Sequence, residues 1–182
     1  DYVGNMIYEN GSLKRILVDG GYIENGTYYF YLQDHLGNNR VVAKSDGTVI
    51  QTNHYYPFGM SFTESTHGDK QPYKYNNKEL DMNNGLNWYD YDARQMEVVS
   101  GRFTSIDPMA EKYYSWSPYS YCLGNPIKFV DPTGTFTSPY YTEDGTFLGV
   151  DEKGFTGAIY ITNKATFDKY SNKGVADSKK IQ

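Results

Sequence analysis

Thr27 to Leu32 reads TYYFYL, and the two residues before it are Asn25-Gly26. Asn-Gly between apolar runs is the strongest short-range hairpin signal, because both central residues of a type I′ turn need positive φ. Gly21–Glu24 and Thr27–Leu32 are therefore expected to pair as antiparallel strands. The same arrangement recurs nearby. Arg40–Lys44 and Thr48–Thr52 flank Ser45-Asp46-Gly47, and Leu13–Val18 (LKRILV) ends at Asp19-Gly20-Gly21. Asn53–Tyr56 extends the last strand to Pro57-Phe58-Gly59. Antiparallel β structure is expected across residues 6 to 58.

Composition points the same way. The chain has 20 Tyr, 9 Phe and 18 Gly. Aromatic side chains suit a pleated, half-buried surface, whereas Gly disfavours helix. Downstream, residues 61–72 (SFTESTHGDKQP) read as a mobile loop and Tyr73–Tyr75 as a short strand. Asn77–Met82 (NKELDM) reads as one helical turn and Leu86–Asp92 as a strand. Asp107-Pro108 offers an N-cap and a first helical residue to a short helix over Met109–Tyr114. Beyond Gly134, Ser138–Thr142 and Thr146–Val150 flank Asp144-Gly145 as another hairpin. Gly157–Thr162 reads as a strand. Residues 163–182 read as a frayed polar tail with a weak helical stretch at Ala165–Tyr170.

Several function classes are disfavoured. The net charge is −5 and no Lys/Arg cluster exists, which argues against nucleic-acid binding. Apolar runs are too short for a membrane span. Cys122 is the only cysteine, so no internal disulfide is expected, and it reads as a small buried hydrophobe. His35 reads as a turn residue. No Cys/His/Asp spacing suggests a metal, and nothing implies a cofactor. The first residues, Asp1-Tyr2-Val3-Gly4-Asn5, read like the middle of a repeat, so a processed fragment with an open sheet edge is expected. Such an edge favours self-association.

Two Asp-Pro pairs carry the clearest chemistry: Asp107 in GRFTSIDP and Asp131 in NPIKFVDPTG. Paired carboxylates suit hydrolysis of a peptide bond, one activating water while the other polarises the carbonyl. Both also have plain structural readings. Asp131-Pro132-Thr133-Gly134 fits a type I turn, and Asp107 fits a helix N-cap.

The run YLQDHLGNNRVV followed by YYPFGM resembles the tyrosine-aspartate repeats of the Rhs family. YKYNNKELD, LNWYDYDAR, GRFTSIDP and SPYSYCLGNPIKFVDPTG resemble the Rhs repeat-associated core, in its Bacteroidetes style. The resemblance spans about residues 28 to 134. It implies an all-β fold whose antiparallel hairpins form part of a hollow β-cocoon around a C-terminal toxin. The implied layout is repeat hairpins over 1–60, the core over 61–134, and a toxin-side junction over 135–182. Partners would be the upstream shell and the toxin of the same parent chain, together with an immunity or secretion-apparatus protein. Location would be secreted or at the cell surface.

The resemblance also implies self-cleavage by an aspartic-protease-like pair. The matching residues are Asp107 and Asp131, with Arg102 of GRF as the arginine beside them. Thr135 stands where the family often has Leu, so the junction is Gly134, Thr135 and Phe136, and the bond is Thr135–Phe136. Any activity would be a single-turnover event. The competing readings are a non-proteolytic adhesive repeat protein and a carbohydrate-binding module using Trp88, Trp116 and the tyrosines.

Overall fold

In the computed structural model, the described residues are 1–62, 65–68, 71–112, 114, 116–135, 139–141, 147–151, 160–172 and 175–176. The first sheet is a meander of seven antiparallel strands in sequence order. They are β1 (Tyr2–Val3), β2 (Met6–Glu9), β3 (Ser12–Val18), β4 (Gly21–Glu24), β5 (Thr27–Gln33), β6 (Asn39–Lys44) and β7 (Val49–Thr52). The Asn25-Gly26 hairpin forms as expected: Glu24 pairs with Thr27, and the two turn residues have φ of 50° and 74°. Strand pairing ends at Thr52. Tyr55 makes only a single bridge, to Ser61.

The register separates two faces. Leu17, Tyr22 and Tyr29 align across β3, β4 and β5, and Tyr31, Val42 and Gln51 across β5, β6 and β7. This face is covered. Tyr22 stacks on Tyr29 with centroids 4.6 Å apart, and Arg15 lies 4.2 Å over the Tyr22 ring. The opposite face aligns Val18, Gly21, Phe30, Ala43 and Val49, with Phe30, Leu32 and Val49 exposed. Exposed apolar residues on β5 and β7, together with the short edge strand β1 at the other end of the sheet, are features that favour association. Sedimentation of this chain is expected to show self-association that Phe30→Lys with Val49→Lys weakens. A wild type that stays monomeric at every concentration tested would refute this.

The second sheet runs in the order β11-β10-β9-β8, from β8 (Glu79–Asp81), β9 (Trp88–Asp90), β10 (Gln95–Glu97) and β11 (Arg102–Phe103). Asn77–Met82 thus supplies a strand, not the expected helical turn. Leu80 is buried between the half-buried Glu79 and Asp81; that alternation has period two, and β9 supplies the pairing partner. Tyr75, too, begins a 3₁₀ turn, Tyr75–Asn77, rather than ending a strand. The helix expected at Met109–Tyr114 is one 3₁₀ turn, Ala110–Lys112.

The core lies against this second sheet. Tyr75, Tyr89, Tyr91, Met96, Phe103, Tyr121 and Cys122 are buried together. Rings meet edge-on or tilted, with Tyr91 to Tyr121 at 5.3 Å and Tyr91 to Phe103 at 5.6 Å, the geometry that aromatic quadrupoles favour. Buried hydroxyls need partners, and Asn76 supplies one. Its Oδ1 accepts from Tyr91 at 2.7 Å and from Tyr121 at 2.6 Å. Its own N–H donates to Asn38 Oδ1 at 2.8 Å, tying the core to the first sheet. Asn76 adopts φ 48°, a region Asn tolerates better than most residues.

The third sheet runs in the order β14-β12-β13-β16-β15. Its elements are β12 (Pro139–Tyr141), β13 (Phe147–Asp151), β14 (Tyr160–Ile161), β15 (Ser171–Asn172) and β16 (Val175–Ala176), with α1 (Lys164–Tyr170) between β14 and β15. The hairpin expected after Gly134 forms between β12 and β13, although its Asp144-Gly145 turn lies outside the described residues. Asn163 caps α1 by accepting from the Thr166 N–H at 2.8 Å, and Phe167 is buried. Residues 163–172, 175 and 176 are therefore folded rather than frayed; residues 173, 174 and 177–182 lie outside the described set. The described residues are thus all-β apart from short helical turns and α1.

Candidate functional site

The loop after β11 carries Asp107. Its N–H donates to the Pro118 carbonyl at 3.0 Å, and its Oδ1 accepts from the Met109 N–H at 2.8 Å. Asp131 opens the Asp-Pro-Thr-Gly turn. Its Oδ1 accepts from the Thr133 N–H at 3.3 Å and the Thr135 N–H at 3.0 Å. Each acid thus caps nearby backbone through Oδ1, Asp107 ahead of the 3₁₀ turn at Ala110–Lys112 and Asp131 within its own bend. Each Oδ2 remains, and both turn to the same group.

That group is Arg94, in the connection between β9 and β10. Its Nη2 lies 2.8 Å from Asp107 Oδ2 and 3.4 Å from Asp131 Oδ2. The two carboxylate oxygens are therefore separated by no more than these two contacts laid end to end. Nη1 donates to the Pro118 carbonyl at 3.0 Å, and Nε donates to the Gly134 carbonyl. The guanidinium carbon sits 3.6 Å from the Phe103 ring centre. The side chains of Arg94 and Asp131 are each 1% exposed, and that of Asp107 is 14% exposed. Burial pulls the Arg94 guanidinium below its ordinary pKa, and the two carboxylates oppose that shift. With both acids ionised, the cluster holds one net negative charge in a nearly dry site.

Arg102, expected beside the pair, occupies a different place. It is exposed on β11, pairs with Glu97, and makes no side-chain hydrogen bond or ion pair among the described residues. The sequence reading missed Arg94, although its signal was present: Tyr89-Asp90-Tyr91-Asp92-Ala93-Arg94 partly repeats the Tyr31…Asp34…Gly37…Arg40 skeleton.

The junction itself is gripped. Arg94 holds the carbonyl of the Gly134–Thr135 peptide and Asp131 holds its N–H. Gly134 has φ 73°, and a Cβ there would lie 2.9 Å from the Tyr91 carbonyl. No other residue fits that backbone unstrained. Thr133 and Thr135 hydroxyls lie 2.8 Å apart. Phe136 lies outside the described residues. Between the acids and the junction is a cavity of about 20 Å³ lined by Arg94, Asp107, Trp116, Asp131 and Thr135, room for about one water molecule. Cys122 packs close by, but burial, aided by Asp131, pushes its thiol well above the ordinary pKa. A neutral thiol is a poor nucleophile.

No family profile matches the sequence. Salivary gland surface protein 1 of Aedes aegypti is 34% identical over 116 residues, covering 63% of this chain and 3% of that protein. The TcdB2-TccC3-Cdc42 crystal structure superposes with a TM-score of 0.53 at 25% identity, over 62% of this chain and 5% of that one. By fold, the chain is Rhs-like. A Photorhabdus luminescens Tc holotoxin pore, carrying an aspartate-to-alanine change in TccC3, gives a TM-score of 0.56 at 20% identity. That match covers 73% of this chain and 7% of that one. This Rhs-like chain therefore spans a small part of each protein it matches.

Proposed function

We propose that this chain is the core segment of a toxin-associated Rhs-type protein, closing a β-shell and presenting the junction after Gly134 for self-cleavage by Asp107 and Asp131. The observation that carries the reading is the single guanidinium of Arg94, which gathers both carboxylates and the Gly134 carbonyl in one buried cluster. Surface adhesion needs no such convergence at a chain junction. The Bacteroidetes-type motifs, a secreted location, and partnership with an upstream shell, a C-terminal effector and an immunity or secretion-apparatus protein belong to the same reading. It is supported by the Rhs-like fold. No helix among the described residues is long and apolar enough to cross a membrane.

The chemistry is one hydrolysis. Asp107, the acid that reaches solvent, takes a proton from water as the water oxygen adds to the Thr135 carbonyl. Arg94 and Asp131 hold the preceding peptide, which fixes the approach and replaces a bimolecular encounter with a tethered one. The C–N bond to Phe136 then breaks, Thr135 keeps the new carboxylate, and the amine of Phe136 leaves with the proton. In the longer parent chain, denaturing electrophoresis is expected to show two fragments for the wild type and one chain for Asp107→Asn and Asp131→Asn. A wild type that folds and remains one chain would remove self-cleavage from this account.

A further inference from the structure

Arg102 is left unexplained by the acid cluster, and its surroundings form a site of their own. A groove of about 360 Å³ runs between Phe58, Arg102, Trp116, Ser117, Ser120 and Leu123. Arg102 is the sole charged residue among those lining it, and its guanidinium has no ion-pair partner among the described residues. The groove is a built feature. A Cβ on Gly101 would come 2.7 Å from the Phe58 ring, so that ring sits directly on bare backbone. On the other side, Cys122 and Leu123 both adopt left-handed φ, 47° and 55°. Such backbone persists only where surrounding structure enforces it. The strained turn places Leu123 where it lines both this groove and the acid cavity, and Trp116, Ser117 and Ser120 line both as well.

We propose that this groove binds an extended acidic peptide, with one carboxylate on Arg102 and an apolar side chain between Phe58 and Trp116. Charge selects the ligand: the chain carries net −5, yet this groove presents one uncompensated cation shaped for two-point carboxylate contact. Continuity selects a peptide, because the adjoining cavity already grips both polar atoms of the Gly134–Thr135 peptide. The inference does not depend on whether Asp107 and Asp131 cut the chain.

The test uses two capped tetrapeptides, acetyl-Phe-Glu-Phe-Asp-amide and its uncharged counterpart acetyl-Phe-Gln-Phe-Asn-amide. Affinity is read by tryptophan fluorescence of the 182-residue chain and by calorimetry. The acidic peptide is expected to bind and quench Trp116, with binding weakening as salt rises. Arg102→Gln should weaken it about tenfold, the scale of one lost charge-assisted contact, and Trp116→Phe should abolish the quench. Arg102 is exposed, so its replacement is expected to leave the melting temperature unchanged. Equal affinity for the two peptides, or unchanged affinity in Arg102→Gln, would overturn the proposal.

Discussion

Replacing Arg94 with methionine is expected to destabilise the chain by about 3–5 kcal/mol, the usual cost of stranding a buried charge. For a chain of this size the corresponding drop in Tm is roughly 10 °C. Methionine preserves much of the side-chain volume over Phe103, so the loss reports the guanidinium's charge and hydrogen bonds together. Asp131 would keep its two backbone donors but lose its cation at 3.4 Å. The Gly134 and Pro118 carbonyls would lose their donors in the same step. Thermal unfolding of the variant beside Arg102→Gln makes the measurement, since Arg102 is exposed and unpaired among the described residues. A loss for Arg94→Met no greater than for Arg102→Gln would show that the cluster does not hold the junction.

The second large effect is alkaline unfolding. Tyr75, Tyr89, Tyr91 and Tyr121 are buried, and desolvation raises each phenol above its ordinary value of 10. Tyr22 is pushed up to about 12 by the same cause. In the unfolded chain these groups ionise near pH 10, whereas in the folded chain they keep their protons. Their contribution is therefore fully present below pH 10 and is lost as pH rises above it. Each tyrosine supplies a slope of about 1.4 kcal/mol per pH unit, so five together give about 7 kcal/mol per unit. A typical fold has a total stability of about 5–15 kcal/mol. Cooperative unfolding is thus expected within one to two pH units above 10, followed by circular dichroism. Tyr89→Phe should make the pH dependence shallower by one proton. A melting temperature that stays level from pH 9 to pH 12 would contradict this.

The hairpins were readable because their turns are dictated locally. Asn25-Gly26 adopts the two positive φ values that such a turn needs, and Leu13–Val18 falls within β3 almost residue for residue. The local backbone caps at Asp107 and Asp131 were also readable, since each Asp-Pro pair has its own sequence signature. What escaped was set by tertiary contact. Asn77–Met82 has the composition of a helical turn, yet pairing with β9 and burial of Leu80 made its centre a strand. Arg94 escaped for a related reason. Its role comes from three loops brought together by the Tyr91, Phe103 and Tyr121 core, while GRF drew notice to Arg102 on the exposed side of the same sheet. Asn76 carries no sequence signal for its place, which only the two hydroxyls converging on it reveal.

Hydrolysis of the bond after Thr135 by Asp107 and Asp131 is the step on which the proposed function rests. Its most direct test is the intact mass of the longer parent chain, folded in water enriched in ¹⁸O. Two chains are expected, the first ending at Thr135 and carrying one ¹⁸O in its new carboxylate, with Asp107→Asn and Asp131→Asn remaining uncut. An uncut wild type, a first fragment ending elsewhere, or cleavage that survives both substitutions would contradict it.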